Sequence, residues 1–234
     1  MRARRGTIEA MDVIDPYPPV VPPGQDALPY EDGEPMESKR HRSQMEVLLG
    51  SLEDAWDARD DFFVGGNMFV YFSEPQTRGA KFRGPDVFVV LDTDRQKVRK
   101  SWVAWEENGK LPDVVIELLS PSTEAIDRGE KMRVYERVWC TGHYVLFDVD
   151  DGRLEGFRLV GGRYESIAPD ERGDLLIGSM GLALGAREAR HRGEGGVWLR
   201  WIEPSGEMVP TAEETARGLK KRVAELEAKL RGDD

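Results

Sequence analysis

Cysteine is nearly absent: Cys140 stands alone among 234 residues. A lone cysteine excludes an internal disulfide and a cysteine-rich zinc site. Histidine is scarce too. His41, His143 and His191 lie far apart and form no zinc-ligand spacing. No apolar run approaches the roughly 18 residues of a membrane span. The basic start, Met1-Arg2-Ala3-Arg4-Arg5, leads into no apolar segment, so no secretion signal is expected and cytoplasmic residence is. Positive charge is in deficit: 33 Lys and Arg against 44 Asp and Glu leave a formal net charge of −11. That balance argues against a protein that works mainly by general phosphate neutralisation. It leaves room for a nuclease, because active-site carboxylates are acidic by design and a local basic patch or Mg²⁺ offsets the repulsion.

With 39% hydrophobic residues the chain can bury a sizeable core. Three parts are expected. Residues 1–35 hold half of the fourteen prolines and read as an extended arm, since proline removes a backbone donor and fixes φ. Residues 36–210 read as the folded domain. Residues 211–234 read as a capped amphipathic helix: Thr211 and Glu214 match a capping box, and Ala212, Ala216, Leu219, Val223, Leu226 and Leu230 alternate by four and three. That seam suits either a coiled coil between subunits, making a homo-oligomer such as a dimer, or docking on the chain's own domain.

Within the domain, Met45, Leu48, Leu49, Leu52 and Trp56 give one apolar stripe, predicting a helix from Glu37 to about Ala58. Residues 62–72 read as strand, Gly-Gly-Asn turn or bulge, strand, and 86–92 as a further strand. A helix is expected from Ser122 to about Trp139, with Lys131, Val134, Tyr135, Val138 and Trp139 along one side. His143–Asp148, Arg153–Val160 and Arg163–Ile167 read as strands joined by Asp150-Asp151-Gly152 and Gly161-Gly162. After Pro169 the glycines predict looser chain, followed by a hairpin about Pro204-Ser205-Gly206.

The chemistry starts at Pro112-Asp113-Val114-Val115-Ile116-Glu117-Leu118-Leu119-Ser120-Pro121. So apolar a strand is buried on both faces. A carboxylate inside it is unfavourable unless it is paired, holds a metal, or faces an edge or cleft. Alternate residues share a face, so Glu117 goes with Val115 and Leu119, and Asp86 with Phe88 and Val90. If the two strands are neighbours and those faces coincide, Asp86 and Glu117 converge as hard-oxygen ligands for Mg²⁺. Lys131, early on the following helix, is long enough to reach back toward the strand end. The alternatives are that Asp86 merely begins a strand, that Glu117 meets solvent, and that Lys131 is an ordinary surface lysine. Asp127-Arg128-Gly129-Glu130-Lys131 lacks the spaced glycines of a phosphate loop. Ser120 and Ser122 read as turn and cap residues, and Trp102, Trp105 and Trp139 as packing.

Gly84-Pro85-Asp86-Val87-Phe88-Val89-Val90, the Leu111–Thr123 stretch, Asp127–Lys131 with Tyr135, and the His143–Asp148 strand closely resemble the Uma-two family, over about residues 30–210. The resemblance implies a restriction-endonuclease-like fold of the PD-(D/E)XK superfamily: an α/β architecture with a mixed central sheet flanked by helices. It implies that Asp86 and Glu117 are the metal-binding acids, with a backbone carbonyl near Leu118 completing a Mg²⁺ or Mn²⁺ site. The superfamily's usual lysine would stand at position 119, where this chain has leucine, and the resemblance implies that its role has moved to Lys131. Glu37 resembles an accessory acid. Two functions are thereby expected: a metal-dependent endonuclease acting on DNA or another nucleic acid, or a non-catalytic scaffold that keeps the fold and recruits partners through its tail.

Overall fold

The computed structural model describes residues 21–30, 38–73 and 84–232. Most of the proline-rich arm, and Glu37, lie outside the described residues. The described stretch of the arm, 21–30, packs on the body. Leu28 is buried, Trp105 donates its indole N–H to the Pro23 carbonyl at 3.0 Å, and Tyr71 donates to the Pro29 carbonyl at 2.5 Å.

Among the described residues eleven strands are labelled in chain order. β1 (Phe62–Gly66), β2 (Val70–Tyr71), β3 (Val87–Leu91), β4 (Trp102–Val103) and β5 (Val114–Leu119) precede the 124–139 helix. β6 (His143–Asp148), β7 (Leu154–Val160), β8 (Arg163–Ser166), β9 (Leu175–Ile177), β10 (Leu182–His191) and β11 (Glu194–Ile202) follow it. The central sheet has the order β1-β3-β5-β6-β7-β8. Its β5–β6 pair is parallel and its other pairs are antiparallel, so it is mixed. The parallel pair is the one spanned by the 124–139 helix, as a crossover requires.

Period-two alternation assigns the two faces of β5. Val114, Ile116 and Leu118 point to a core shared with Leu48 and Leu52 of the first helix (Lys39–Ala55) and with Leu199 and Trp201 of β11. Val115 and Leu119 point the other way, to Tyr135, Trp139 and Tyr144. The sheet is therefore covered on both faces, the first helix and the β9–β11 sheet on one side and the 124–139 helix on the other. Gln44 fastens the first of these layers. Its amide donates to the Leu199 carbonyl and accepts from the Leu199 N–H, both at 2.9 Å, as a neighbouring strand would.

The region after Pro169 differs from expectation. It is ordered strand: β10 runs ten residues and pairs with both β9 and β11. Alanine, glycine and charged residues give its sequence little strand character, and pairing with the tryptophan-bearing β11 overrides that propensity. Gly185 within β10 is there for space. A Cβ would lie 2.1 Å from Asp174 Oδ1, and Asp174 is buried and paired with Arg187. Gly185→Ala is expected to lower unfolding free energy by about 1–3 kcal/mol, read by denaturant titration.

The C-terminal helix is Ala212–Arg231, and its capping box is formed: Glu214 N–H donates to Thr211 Oγ1 and the Thr211 N–H to Glu214 Oε2. Arg200 holds Glu214 at 2.6 Å, tying the first turn to the body. Among the described residues no helix is long and apolar enough to cross a membrane.

Candidate metal-binding and catalytic site

β5 lies inside the sheet, and all six of its side chains are buried, Glu117 among them. It faces neither the sheet edge nor solvent. Its direct neighbour β3 pairs Val87 with Ile116 and Phe88 with Val115. Continuing that register by one residue sets Asp86 against Glu117 on the face of Val115 and Leu119. The two are interlocked. The Leu118 N–H donates to Asp86 Oδ2 at 2.7 Å, and the Asp86 N–H to Glu117 Oε2 at 3.3 Å.

The third side comes from the 124–139 helix. Lys131 Nζ lies 3.0 Å from Glu117 Oε2 and 2.8 Å from Asp127 Oδ1. Tyr135 donates its hydroxyl proton to Glu117 Oε1 at 2.8 Å. Two stretches of this helix, Asp127–Lys131 and Tyr135–Trp139, wind as π-helix. In an α-helix, residues four apart drift round the axis, because a turn takes 3.6 residues. The wider π turn offsets that drift. Asp127, Lys131 and Tyr135 thus stay aligned over Glu117.

Asp86, Glu117 and Lys131 are therefore brought together, while Glu37 lies outside the described residues. For Leu118 the structure gives a contact through its N–H. Asp113 braces the neighbouring strand instead, its Oδ2 accepting from the Leu91 N–H at 2.8 Å. His41, in the first helix, sets a ring nitrogen 3.2 Å from the Leu119 carbonyl at the end of β5.

Residues 23–189 match the family model Uma2, described as "Putative restriction endonuclease". The chain belongs to the Uma2 family. A solved structure, titled a putative nuclease belonging to DUF820 from Anabaena variabilis, is similar at 16% identity and a TM-score of 0.44. The similarity covers 64% of this chain and 80% of that one. No curated protein matches.

In this Uma2 chain the electrostatics of the cluster centre on one proton. Burial pushes the Glu117 carboxyl up to about 8, Lys131 pulls it down, and Asp86 and Asp127 add to the rise. Burial also raises Asp86, against the opposing pull of Lys131 and the Leu118 N–H. Lys131 is itself raised: burial works against its charge, but Glu117, Asp127 and Asp86 outweigh it. The ammonium is thus held charged, while Glu117 keeps a proton near neutrality.

The resulting pH effect has a definite sign. The folded Glu117 value of about 8 exceeds the ordinary 4.5, so between them the folded state binds more protons. Stability from this group is complete below the lower value and is lost as pH rises through the higher one. Glu117→Gln cannot titrate. In metal-free denaturant unfolding it is expected to gain stability relative to wild type as pH rises from roughly 5 to 9.

Among the described residues no group of three or more His, Cys, Asp or Glu side chains is arranged to hold a metal. The Asp86–Glu117 pair still offers two carboxylates, the hard oxygen donors that a divalent ion takes alongside several waters.

Sequence reasoning missed Asp127 and Tyr135 as members of the site. Their signal was present in the four-residue spacing 127, 131, 135, which places all three along one helix side.

Proposed function

We propose that this chain is a divalent-metal-dependent nuclease that hydrolyses phosphodiesters in DNA or another nucleic acid. The supporting observation is the meeting of Asp86 and Glu117 across β3–β5 with Lys131 Nζ 3.0 Å from Glu117. Asp86 and Glu117, with the backbone at Leu118, would hold Mg²⁺ or Mn²⁺. When bound, such an ion supplies charge stabilisation on a phosphate and lowers the pKa of a water ligand.

The chain's own residues do the rest. To serve as a ligand Glu117 would release its proton to solvent. Tyr135 fixes one Glu117 oxygen and Lys131 the other, which holds the carboxylate in one orientation. Asp127 holds Lys131 from the opposite side. The ammonium stays protonated and faces the site, where it offsets negative charge on phosphoryl oxygens or orients water. Leu119 explains why the lysine is elsewhere: its side chain is buried among Tyr135, Trp139 and Tyr144, where an ammonium would be desolvated.

Incubating the protein with single-stranded DNA, double-stranded DNA and RNA, each with Mg²⁺, Mn²⁺ or a chelator, tests this. Cleavage of at least one substrate that stops with the chelator is expected. No metal-dependent cleavage of any of them overturns the proposal in favour of the scaffold reading.

A further inference from the structure

The C-terminal helix leaves its apolar seam uncovered by the described residues. Leu219, Val223, Leu226 and Leu230 are 62%, 53%, 45% and 88% exposed. The seam runs into a groove of 420 Å³ shared by Ala212, Ala216 and Leu219 with Ala55, Val209 and Pro210 of the body. A continuous apolar strip on a helix that otherwise carries charge marks an interaction surface.

We propose that the occupant is a second copy of this chain, whose helix lies parallel and in register to make a two-stranded coiled coil. The four-three spacing assigns Ala216, Val223 and Leu230 to position a and Ala212, Leu219 and Leu226 to position d. Val223 at a with Leu219 and Leu226 at d suits two strands rather than three or four, and charge selects their direction. Thr215, Arg222 and Lys229 fall at g, and Glu213, Lys220 and Glu227 at e. In a parallel dimer Arg222 meets Glu227 of the second copy, twice by symmetry. In an antiparallel dimer g faces g, which brings Arg222 or Lys229 against another base. Within its own helix Arg222 has Glu225 at 3.6 Å, too long for a hydrogen bond, so the guanidinium can reach across.

Sedimentation equilibrium of the full chain tests the pairing. Wild type is expected to be a dimer, and Leu219→Ser with Leu226→Ser a monomer whose body unfolds as before. Arg222→Glu should weaken dimerisation about fivefold to tenfold, and adding Glu227→Arg should restore it. Direction is read separately by Val223→Cys in a Cys140→Ser background. Parallel register sets the two new thiols side by side, so mild oxidation should link the chains. A monomeric wild type, a dimer that survives the serine substitutions, or thiols that fail to link would overturn the proposal.

Discussion

Asp86→Asn and Glu117→Gln should each lower metal-dependent cleavage by on the order of 100- to 1000-fold while leaving the protein folded. Both replacements keep the shape and an oxygen acceptor. In Asp86→Asn the new amide carbonyl can still accept from the Leu118 N–H, which meets Asp86 Oδ2 at 2.7 Å in the wild type. In Glu117→Gln the amide carbonyl can still accept from Lys131 or Tyr135. What disappears is negative charge at the point where two carboxylates converge. The folding side predicts the opposite trend, because burial penalises the charged form of Glu117 most. Activity should therefore fall while stability above neutral pH holds or rises. Calorimetric titration with Mn²⁺ should lose its binding isotherm in both variants. Equal cleavage by wild type and either variant would remove these acids from the reaction and leave the scaffold reading.

Lys131→Met should harm stability as well as activity. The ammonium is the one cation in direct contact with Glu117 and Asp127 among the described ion pairs, and both carboxylates are buried. Removing one member of a buried charge cluster destabilises by about 3–5 kcal/mol. For a domain of this size each kcal/mol lowers the melting temperature by about 2–4 °C. The loss should be largest above neutral pH. On acidification Glu117 takes up its proton and no longer needs the lysine, so the gap between wild type and variant should narrow. Cleavage should fall about 100-fold even where the variant is fully folded. A pH-independent loss of stability would mean that Lys131 contributes only through packing of its alkyl chain.

The strand around Glu117 was legible because one carboxylate interrupts an otherwise unbroken apolar run. Its partner was legible because Asp86 begins another such run after Gly84-Pro85. The helix after β5 was legible from spacing, and so was its Lys131 side. Asp127 and Tyr135 share the lysine's side by their four-residue spacing, but that spacing does not say that they meet Lys131 and Glu117, and nothing local announces the π turns that keep them in line. β10 was hidden for another reason. Its Ala, Gly, Arg and Glu residues are poor strand formers, and only the β11 partner makes the strand favourable. The capping box at Thr211 needed no tertiary information, since both of its hydrogen bonds span three residues.

Sequence alone determined which face Glu117 shares with Val115 and Leu119, because a strand's period of two admits no other assignment. Periodicity also marked out apolar strands and striped helices, while the fold class was what the resemblance to the Uma-two family implied. Tertiary structure decided that β3 lies beside β5 and that Asp86 falls opposite Glu117. A shift of one residue would have put the two carboxylates on opposite faces of the sheet. The face of Val114, Ile116 and Leu118 packs on the first helix and the β9–β11 sheet, both distant in the chain, and no local pattern carries that packing or the register.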